Sequence, residues 1–131
     1  MRINKEIYNR LLNNSINFKQ NKYHNTKVYY DGYKFDSIKE KNHYIALKNL
    51  EKVGYISDLK LQVSFLLLDT IKYNGKTYRK TKYIADFTYI KDNKLVVEDV
   101  KSEITRKDKT YRLKVKMLLS KYNDIEFKEI L

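Results

Sequence analysis

Residues 82–101 constrain the fold more than any other stretch, because they have the pattern of two β-strands joined by a tight turn. Apolar and β-branched residues dominate both halves, and Asp92 and Asn93 between them are turn formers. A two-residue turn fixes the pairing of the two strands. It places Asp86 of the first strand directly opposite Asp99 of the second.

Two aspartates in opposed positions repel each other. Their Cβ atoms would lie roughly 4.5 to 5.5 Å apart, and the repulsion at an effective dielectric near 20 is about 3 kcal/mol. Lys101, two residues beyond Asp99 on the same strand face, can neutralise only one of them. A divalent cation would neutralise both, and Mg²⁺ or Mn²⁺ prefers the oxygen ligands that this chain offers. The alternative is a solvent-exposed hairpin end where each aspartate meets a lysine.

Two further acids stand close to this pattern. Glu98 directly precedes Asp99, and strand alternation turns it to the other face, so Asp99 is the favoured ligand while Glu98 stays open as its replacement. Glu40 lies three residues after Ser37 at the start of a helix predicted over 37–53, which is the spacing of a capping box. On a helical wheel Glu40 falls beside the core-facing side and can look toward a sheet. The capping role alone is the stronger interpretation for it.

The remaining patterns predict a mixed fold. The predicted elements are, in order, a hairpin around Asp31-Gly32, the helix over 37–53, a buried strand over 61–69, a turn at Asn74-Gly75, strands over 82–90 and 94–101, a helix over 110–122 and a strand over 125–130. We therefore expect one domain over 1–131 of the α/β (α+β) class, with helices packed on a mixed central sheet. Within it, residues 1–26 are interpreted as a short helix and basic arm, and residues 27–131 as the core.

Charge and composition narrow the classes of function. The formal net charge is +12, from 28 Lys and Arg against 16 Asp and Glu, which predicts a polyanionic partner, either nucleic acid or anionic lipid. The absence of cysteine, with only two histidines, argues against disulfides, thiolate nucleophiles and ordinary zinc sites. No apolar run is long enough to cross a bilayer. A cytoplasmic protein is therefore expected. A protein of the membrane surface is the third-ranked alternative, which the polar, strand-rich middle of the chain disfavours, so no membrane partner is expected.

Four local motifs resemble the PD-(D/E)XK nuclease superfamily, which has the restriction-endonuclease-like fold, and most closely its small phage-encoded members. The motifs are YDGYKFDSIKE, YIADFTYI, LVVEDVKS and YRLKVKMLLSKY, in the order of the family, and the likeness covers about residues 27–131. The superfamily pattern of a helix glutamate, a strand aspartate and acid-x-Lys falls on Glu40, Asp86 and Asp99-Val100-Lys101. Ala85 stands where the motif's proline would be.

The resemblance implies a Mg²⁺-dependent endodeoxyribonuclease that hydrolyses DNA phosphodiester bonds, accepts Mn²⁺ and needs no small-molecule cofactor. Asp86, Asp99, the Val100 carbonyl and Glu40 would hold the metal, and Lys101 would orient the attacking water or stabilise the developing charge. The first expectation is a structure-specific enzyme similar to a Holliday junction resolvase, acting as a homodimer in the cytoplasm of a bacterial host. The alternatives are a sequence-specific or nonspecific nicking enzyme, and an inactive nucleic-acid-binding module.

DNA binding is expected from the cations that follow the acid-x-Lys strand. The predicted contacts are Arg106, Lys107, Lys109, Arg112 and Lys116, joined by Lys27 and by Lys19 and Lys22 of the arm. Each of these side chains taken singly is more often solvated surface. A basic helix directly after the acid-x-Lys strand is harder to explain in that way.

Overall fold

A computed structural model describes residues 27–131, so the helix and arm predicted over residues 1–26 lie outside the described residues. The described elements are β1 (Val28–Tyr30), β2 (Tyr33–Phe35), α1 (Ile38–Lys52), β3 (Ser57–Leu68), β4 (Ile71–Tyr73), β5 (Lys76–Tyr78), β6 (Thr81–Lys91), β7 (Lys94–Val100), α2 (Glu103–Arg106), α3 (Lys109–Lys121) and β8 (Glu126–Ile130). The described residues fall into two compact units, residues 27–59 and 60–131, and β3 crosses the boundary.

The first unit contains an aromatic hairpin followed by a capped helix. Asp31 and Gly32 connect β1 to β2 with φ values of 53° and 80°, as the predicted turn requires. The Tyr44 hydroxyl of α1 donates a hydrogen bond of 2.6 Å to the Asp31 carboxylate. The rings of Phe35 and Tyr44, both buried, have centroids 5.2 Å apart. The hairpin is thus attached to the helix by this hydrogen bond and by ring contacts of Tyr30, Tyr33 and Phe35 with Tyr44.

Helix α1 begins where the sequence predicts it. The Ser37 hydroxyl accepts a hydrogen bond of 3.0 Å from the Glu40 main-chain N–H, which satisfies one unpaired donor of the first turn. The Glu40 carboxylate in turn accepts from the N–H of Asp36 at 3.4 Å, one residue before the donor that a strict capping box uses. The helix ends at Lys52, and Gly54 follows with a φ of 79°. The predicted helix is therefore confirmed.

The second unit is built on a four-stranded mixed sheet with the order β3-β6-β7-β8. Strands β6 and β7 are antiparallel, and β7 and β8 are parallel. Asp92 and Asn93 have φ values of 51° and 62°, and Thr88 pairs with Val97 as the predicted turn requires. Helix α3 packs on the sheet through Leu118. This side chain shares one buried core with five strand residues: Phe65, Leu67, Tyr83, Ala85 and Val97. An α+β fold with a mixed sheet and a helix packed on it is confirmed.

The segment before β6 differs from its prediction in two ways. Strand β3 forms at the predicted place but lies at the edge of the sheet, where only Phe65 and Leu67 are buried and Leu68 is 50% exposed. The prediction that this strand is buried was therefore wrong. The turn at Asn74-Gly75 is confirmed, but it closes a separate two-stranded sheet of β4 and β5. All residues of these two strands are exposed, so neither strand is buried in the core. No described helix is long and apolar enough to span a membrane.

Candidate functional site

The carboxylates of Asp86 and Asp99 lie together where the β6–β7 hairpin leaves its regular pairing. The paired residues end at Phe87 and Glu98. Beyond them, the main-chain N–H of Asp86 donates to Asp99 Oδ1 at 3.0 Å, and the N–H of Val100 donates to Asp86 Oδ2 at 2.9 Å. Each aspartate side chain therefore binds the backbone of the opposite strand in place of a ladder bond. The adjacency that the two-residue turn predicts is present.

Asp99 is an acid in an environment that disfavours its charge. Its side chain is 1% exposed, and its Oδ2 atom has no hydrogen-bond partner among the described residues. Burial raises the pKa of Asp99 to about 6, and the nearby Glu129 adds to this rise. The Asp86 N–H and the positive charge of Lys101 lower that pKa and only partly offset the burial. A buried carboxylate oxygen without a donor can accept a cation.

Asp86 is stabilised differently from its neighbour. It is only half-buried, and the Gln62 side-chain amide donates to its Oδ1 at 3.3 Å. Burial, rather than the repulsion from Asp86 that the sequence suggested, is the main cause of the raised Asp99 pKa. Gln62 has a φ of 52° inside β3 and reaches Asp86 from the neighbouring strand. A left-handed residue in a strand redirects its side chain as a bulge does.

Glu129 is a third acid beside the pair, and sequence reasoning missed it. It lies in β8 opposite Asp99 in the parallel register, and its carboxylate is 3.8 Å from Nε of Arg106. Asp86, Asp99 and Glu129 thus occupy three successive strands of the sheet. Nevertheless, within residues 27–131 no three Asp, Glu or His side chains converge as a metal-binding group. A metal here would be held by two carboxylates together with carbonyl oxygen and water, which suits Mg²⁺.

Lys101 lies on the same side as Asp99, as strand alternation predicts. Its charge lowers the Asp99 pKa, and its Nζ is 5.4 Å from the centre of the Tyr111 ring in α3. Burial raises the pKa of Tyr111, and the negative charges of Glu129, Asp99 and Asp86 raise it further. The Tyr111 ring therefore lies near Asp86, Asp99 and Glu129, which we call the acidic cluster.

Glu98 has a different set of contacts from Asp99. It is 1% exposed, and the Tyr89 hydroxyl of β6 donates a hydrogen bond to its Oε2 atom. By strand alternation it belongs to the opposite face of β7. A buried carboxylate that already accepts a hydroxyl is explained by packing. These contacts favour Asp99 over Glu98 as a metal ligand and give Glu98 a structural role.

We expect Glu98→Gln to preserve activity while lowering stability. The amide keeps the shape and one acceptor oxygen, but the charge-assisted bond from Tyr89 is lost, at a cost of about 1 to 3 kcal/mol. If the chain cleaves DNA, as the resemblance implies, the folded variant should cut within about threefold of the parent rate, because Glu98 lies on the other strand face from Asp99. A threefold change corresponds to under 1 kcal/mol. Thermal melting measures the stability. Loss of cleavage in a folded Glu98→Gln protein would instead make Glu98 the ligand.

Glu40 belongs to the first unit, where its hydrogen bonds at the start of α1 explain its position. Its side chain is 6% exposed. Those hydrogen bonds agree with the capping interpretation. Its place among metal ligands stays a prediction of the resemblance.

A cationic groove of about 520 Å³ lies beside the acidic cluster in the second unit. Its lining residues are Arg106, Lys107, Arg112, Val115, Lys116, Leu119 and Glu129. Four of the six DNA contacts predicted within the described residues are therefore neighbours in one groove. Lys109 is exposed at the start of α3 but is not among the lining residues, and Lys27 is exposed in the first unit. Glu129, which pairs in register with Asp99, connects the groove to the acidic cluster.

Comparison with known proteins identifies a family but no function. The family model described as "Protein of unknown function (DUF1064)" matches residues 20–131. No curated protein matches the chain, and no solved structure matches it.

Proposed function

We propose that this chain, which belongs to the family described as Protein of unknown function (DUF1064), is a metal-dependent endonuclease that hydrolyses DNA phosphodiester bonds. The observation that carries the proposal is the buried Asp99 Oδ2 atom, which lacks a partner among the described residues and lies beside the Asp86 carboxylate. A cationic groove next to this pair supports a phosphate backbone as substrate. The proposal includes a restriction-endonuclease-like core.

The donor set fits a hard divalent cation. The carboxylates of Asp86 and Asp99 would hold Mg²⁺, helped by the Val100 carbonyl, and all three groups offer oxygen. Each carboxylate has one oxygen that accepts a main-chain N–H, which orients the side chain without using all its lone pairs. Held by these groups, Mg²⁺ would supply positive charge to a phosphodiester in its transition state and would lower the pKa of a water molecule.

In this proposal, cationic side chains of the protein bind the DNA phosphates and assist the reaction. Lys101, whose charge lowers the Asp99 pKa, would orient the attacking water or stabilise developing negative charge. Arg106 and its neighbours in the groove bind the phosphates on either side of the cleaved bond. Arg106 is paired with Glu129 at 3.8 Å, so phosphate binding must compete with this carboxylate. The acidic cluster supplies the chemistry and the groove supplies the affinity.

The preferred substrate in this proposal is branched DNA, cleaved by a homodimer to products with a 5′-phosphate and a 3′-hydroxyl. The homodimer and the product ends come from the family resemblance. A sequence-specific or nonspecific nicking enzyme would use the same acidic cluster. A binding module without activity would keep the groove but not need an ionised Asp99.

A cleavage assay tests the proposal. The protein is incubated with a synthetic four-way junction, supercoiled plasmid and linear duplex, each in Mg²⁺, in Mn²⁺ or in EDTA. We expect cleavage of the junction in either metal and none in EDTA, with Glu98→Gln as the active control and Asp86→Asn as the inactive variant. If no substrate is cut in any metal while the DNA is still bound, the enzyme proposal is wrong and the binding module takes its place.

A further inference from the structure

The hairpin of β4 and β5 is an exposed two-stranded ribbon. All ten residues from 71 to 80 are exposed, and the two strands form a sheet of their own. Asn74 and Gly75 close it with φ values of 49° and 73°, the conformation of a tight hairpin turn. A two-stranded hairpin without a hydrophobic face on a core is only marginally stable. The described contacts therefore do not explain why this ribbon carries large side chains.

One face of the ribbon is aromatic and apolar. Ile71 pairs with Tyr78, and Tyr73 pairs with Lys76, so these four side chains share a face. Tyr73 is 67% exposed and Tyr78 is 50% exposed. The ammonium group of Lys76 lies 5.3 Å from the centre of the Tyr78 ring. Two tyrosine rings thus present their surfaces to solvent beside a cation.

The charge of the same segment selects the partner. Residues 70–82 contain five cations and no Asp or Glu: Lys72, Lys76, Arg79, Lys80 and Lys82. An apolar ribbon face that docked on a protein core would not need such a uniform charge. Exposed aromatic rings set among cations are the elements with which proteins bind unpaired nucleic acid, because bases stack on the rings and phosphates meet the cations.

The ribbon is also connected directly to the acidic cluster. It continues into β6, whose first residue, Thr81, is five residues before Asp86. Five residues of strand span about 17 Å. That length equals about five base pairs of B-form DNA at 3.4 Å per step. A nucleic acid positioned at the carboxylates can therefore extend to the ribbon.

We propose that the β4–β5 ribbon is a second nucleic-acid-binding element, which stacks Tyr73 and Tyr78 on unpaired bases at a branch or strand end. Bases inside an intact duplex are already stacked on each other, so the rings gain contact only where bases are exposed. The ribbon would thus favour branched over continuous DNA, and the groove cations would bind both. This inference rests on the proposed function for its substrate, but the ribbon can bind DNA whether or not the chain cleaves it.

Binding measurements without cleavage test the ribbon. The parent protein and Tyr73→Ser/Tyr78→Ser are titrated in EDTA with a splayed fork and with a duplex of the same length. The double variant should bind the fork about tenfold or more weakly, from the loss of base stacking, and the duplex within about threefold. Tyr73→Phe/Tyr78→Phe, which keeps both rings, should match the parent, as should Thr77→Ala on the opposite face. Circular dichroism checks that each variant is folded.

Three results would overturn the inference. The serine variant could bind the fork as tightly as the parent does, or could lose fork and duplex binding equally. It could also change its sedimentation without changing its DNA affinity, which would make the ribbon a contact between copies of the chain. The nuclease proposal fails separately, through absence of metal-dependent cleavage. If the protein cleaves no DNA but its fork binding depends on the two rings, the ribbon inference holds and the nuclease proposal is wrong.

Discussion

Asp99→Asn is expected to abolish DNA cleavage and, in EDTA, to make the protein more stable. In the proposed mechanism, the negative charge of Asp99 holds a cation. A neutral amide removes that charge, so the cleavage rate should fall by about 10³-fold or more, which corresponds to about 4 kcal/mol in the barrier. Stability should rise because the buried carboxylate loses a charge that burial disfavours. The remaining amide oxygen can still accept the Asp86 N–H.

The stability gain has a defined dependence on pH. Unfolded Asp99 releases its proton near the ordinary value of 3.8, and folded Asp99 near 6, because burial raises its pKa. Between these values the folded state binds more protons, so raising the pH destabilises it. The advantage of Asp99→Asn should be small below pH 4, grow through pH 4 to 6, and level off above at about 3 kcal/mol.

Denaturant unfolding in EDTA at several pH values measures this effect, with Glu98→Gln as the control. Both residues are buried acids of β7, but Glu98 accepts the Tyr89 hydroxyl. Glu98→Gln should therefore lose stability under the conditions in which Asp99→Asn gains stability. An Asp99→Asn protein less stable than the parent at pH 8 would mean that the carboxylate is paired in the metal-free protein. An active Asp99→Asn enzyme would remove Asp99 from the site.

Removing the four groove cations should weaken DNA binding by about 10³-fold at 0.15 M salt. Each phosphate contact contributes about 0.9 to the slope of log affinity against log salt concentration, so four contacts contribute about 3.6. The affinity difference from the parent should therefore shrink toward zero near 1 M salt. The substituted residues, all changed to Gln, are Arg106, Lys107, Arg112 and Lys116.

The control for the groove variant has the same change in net charge, but its substitutions lie outside the groove. Titrations of both proteins at several salt concentrations separate local contacts from the general effect of a net charge of +12. A control that loses as much affinity and slope as the groove variant would show that the groove is not the binding surface. The control substitutes Gln at four exposed lysines that are not among the groove's lining residues: Lys34, Lys52, Lys94 and Lys121.

The sequence predicts those parts of the site that depend on neighbours along the chain. The turn at Asp92 and Asn93 sets the register of β6 and β7, so the adjacency of Asp86 and Asp99 follows from local chemistry. The start of α1 follows in the same way from Ser37, whose hydroxyl binds the first turn. Both features need information from only a few consecutive residues.

The contacts that sequence reasoning missed come from strands that no tight turn connects. Gln62 reaches Asp86 because β3 lies beside β6 and because its own φ is positive, and a polar residue in an alternating strand gives no sign of either. Glu129 lies beside Asp99 through a parallel register set by the packing of α3. The burial of Asp99 likewise depends on packing, which explains why the sequence suggested charge repulsion as the dominant effect.

Direct binding of Mn²⁺, followed by the loss of its free electron paramagnetic resonance signal, tests the central claim that Asp86 and Asp99 together hold a divalent cation. The parent and Glu98→Gln should bind at least one Mn²⁺ per chain, and Mg²⁺ should displace it. Asp86→Asn and Asp99→Asn should bind none at the same concentrations. Equal binding by all four proteins, or by none of them, would contradict the account.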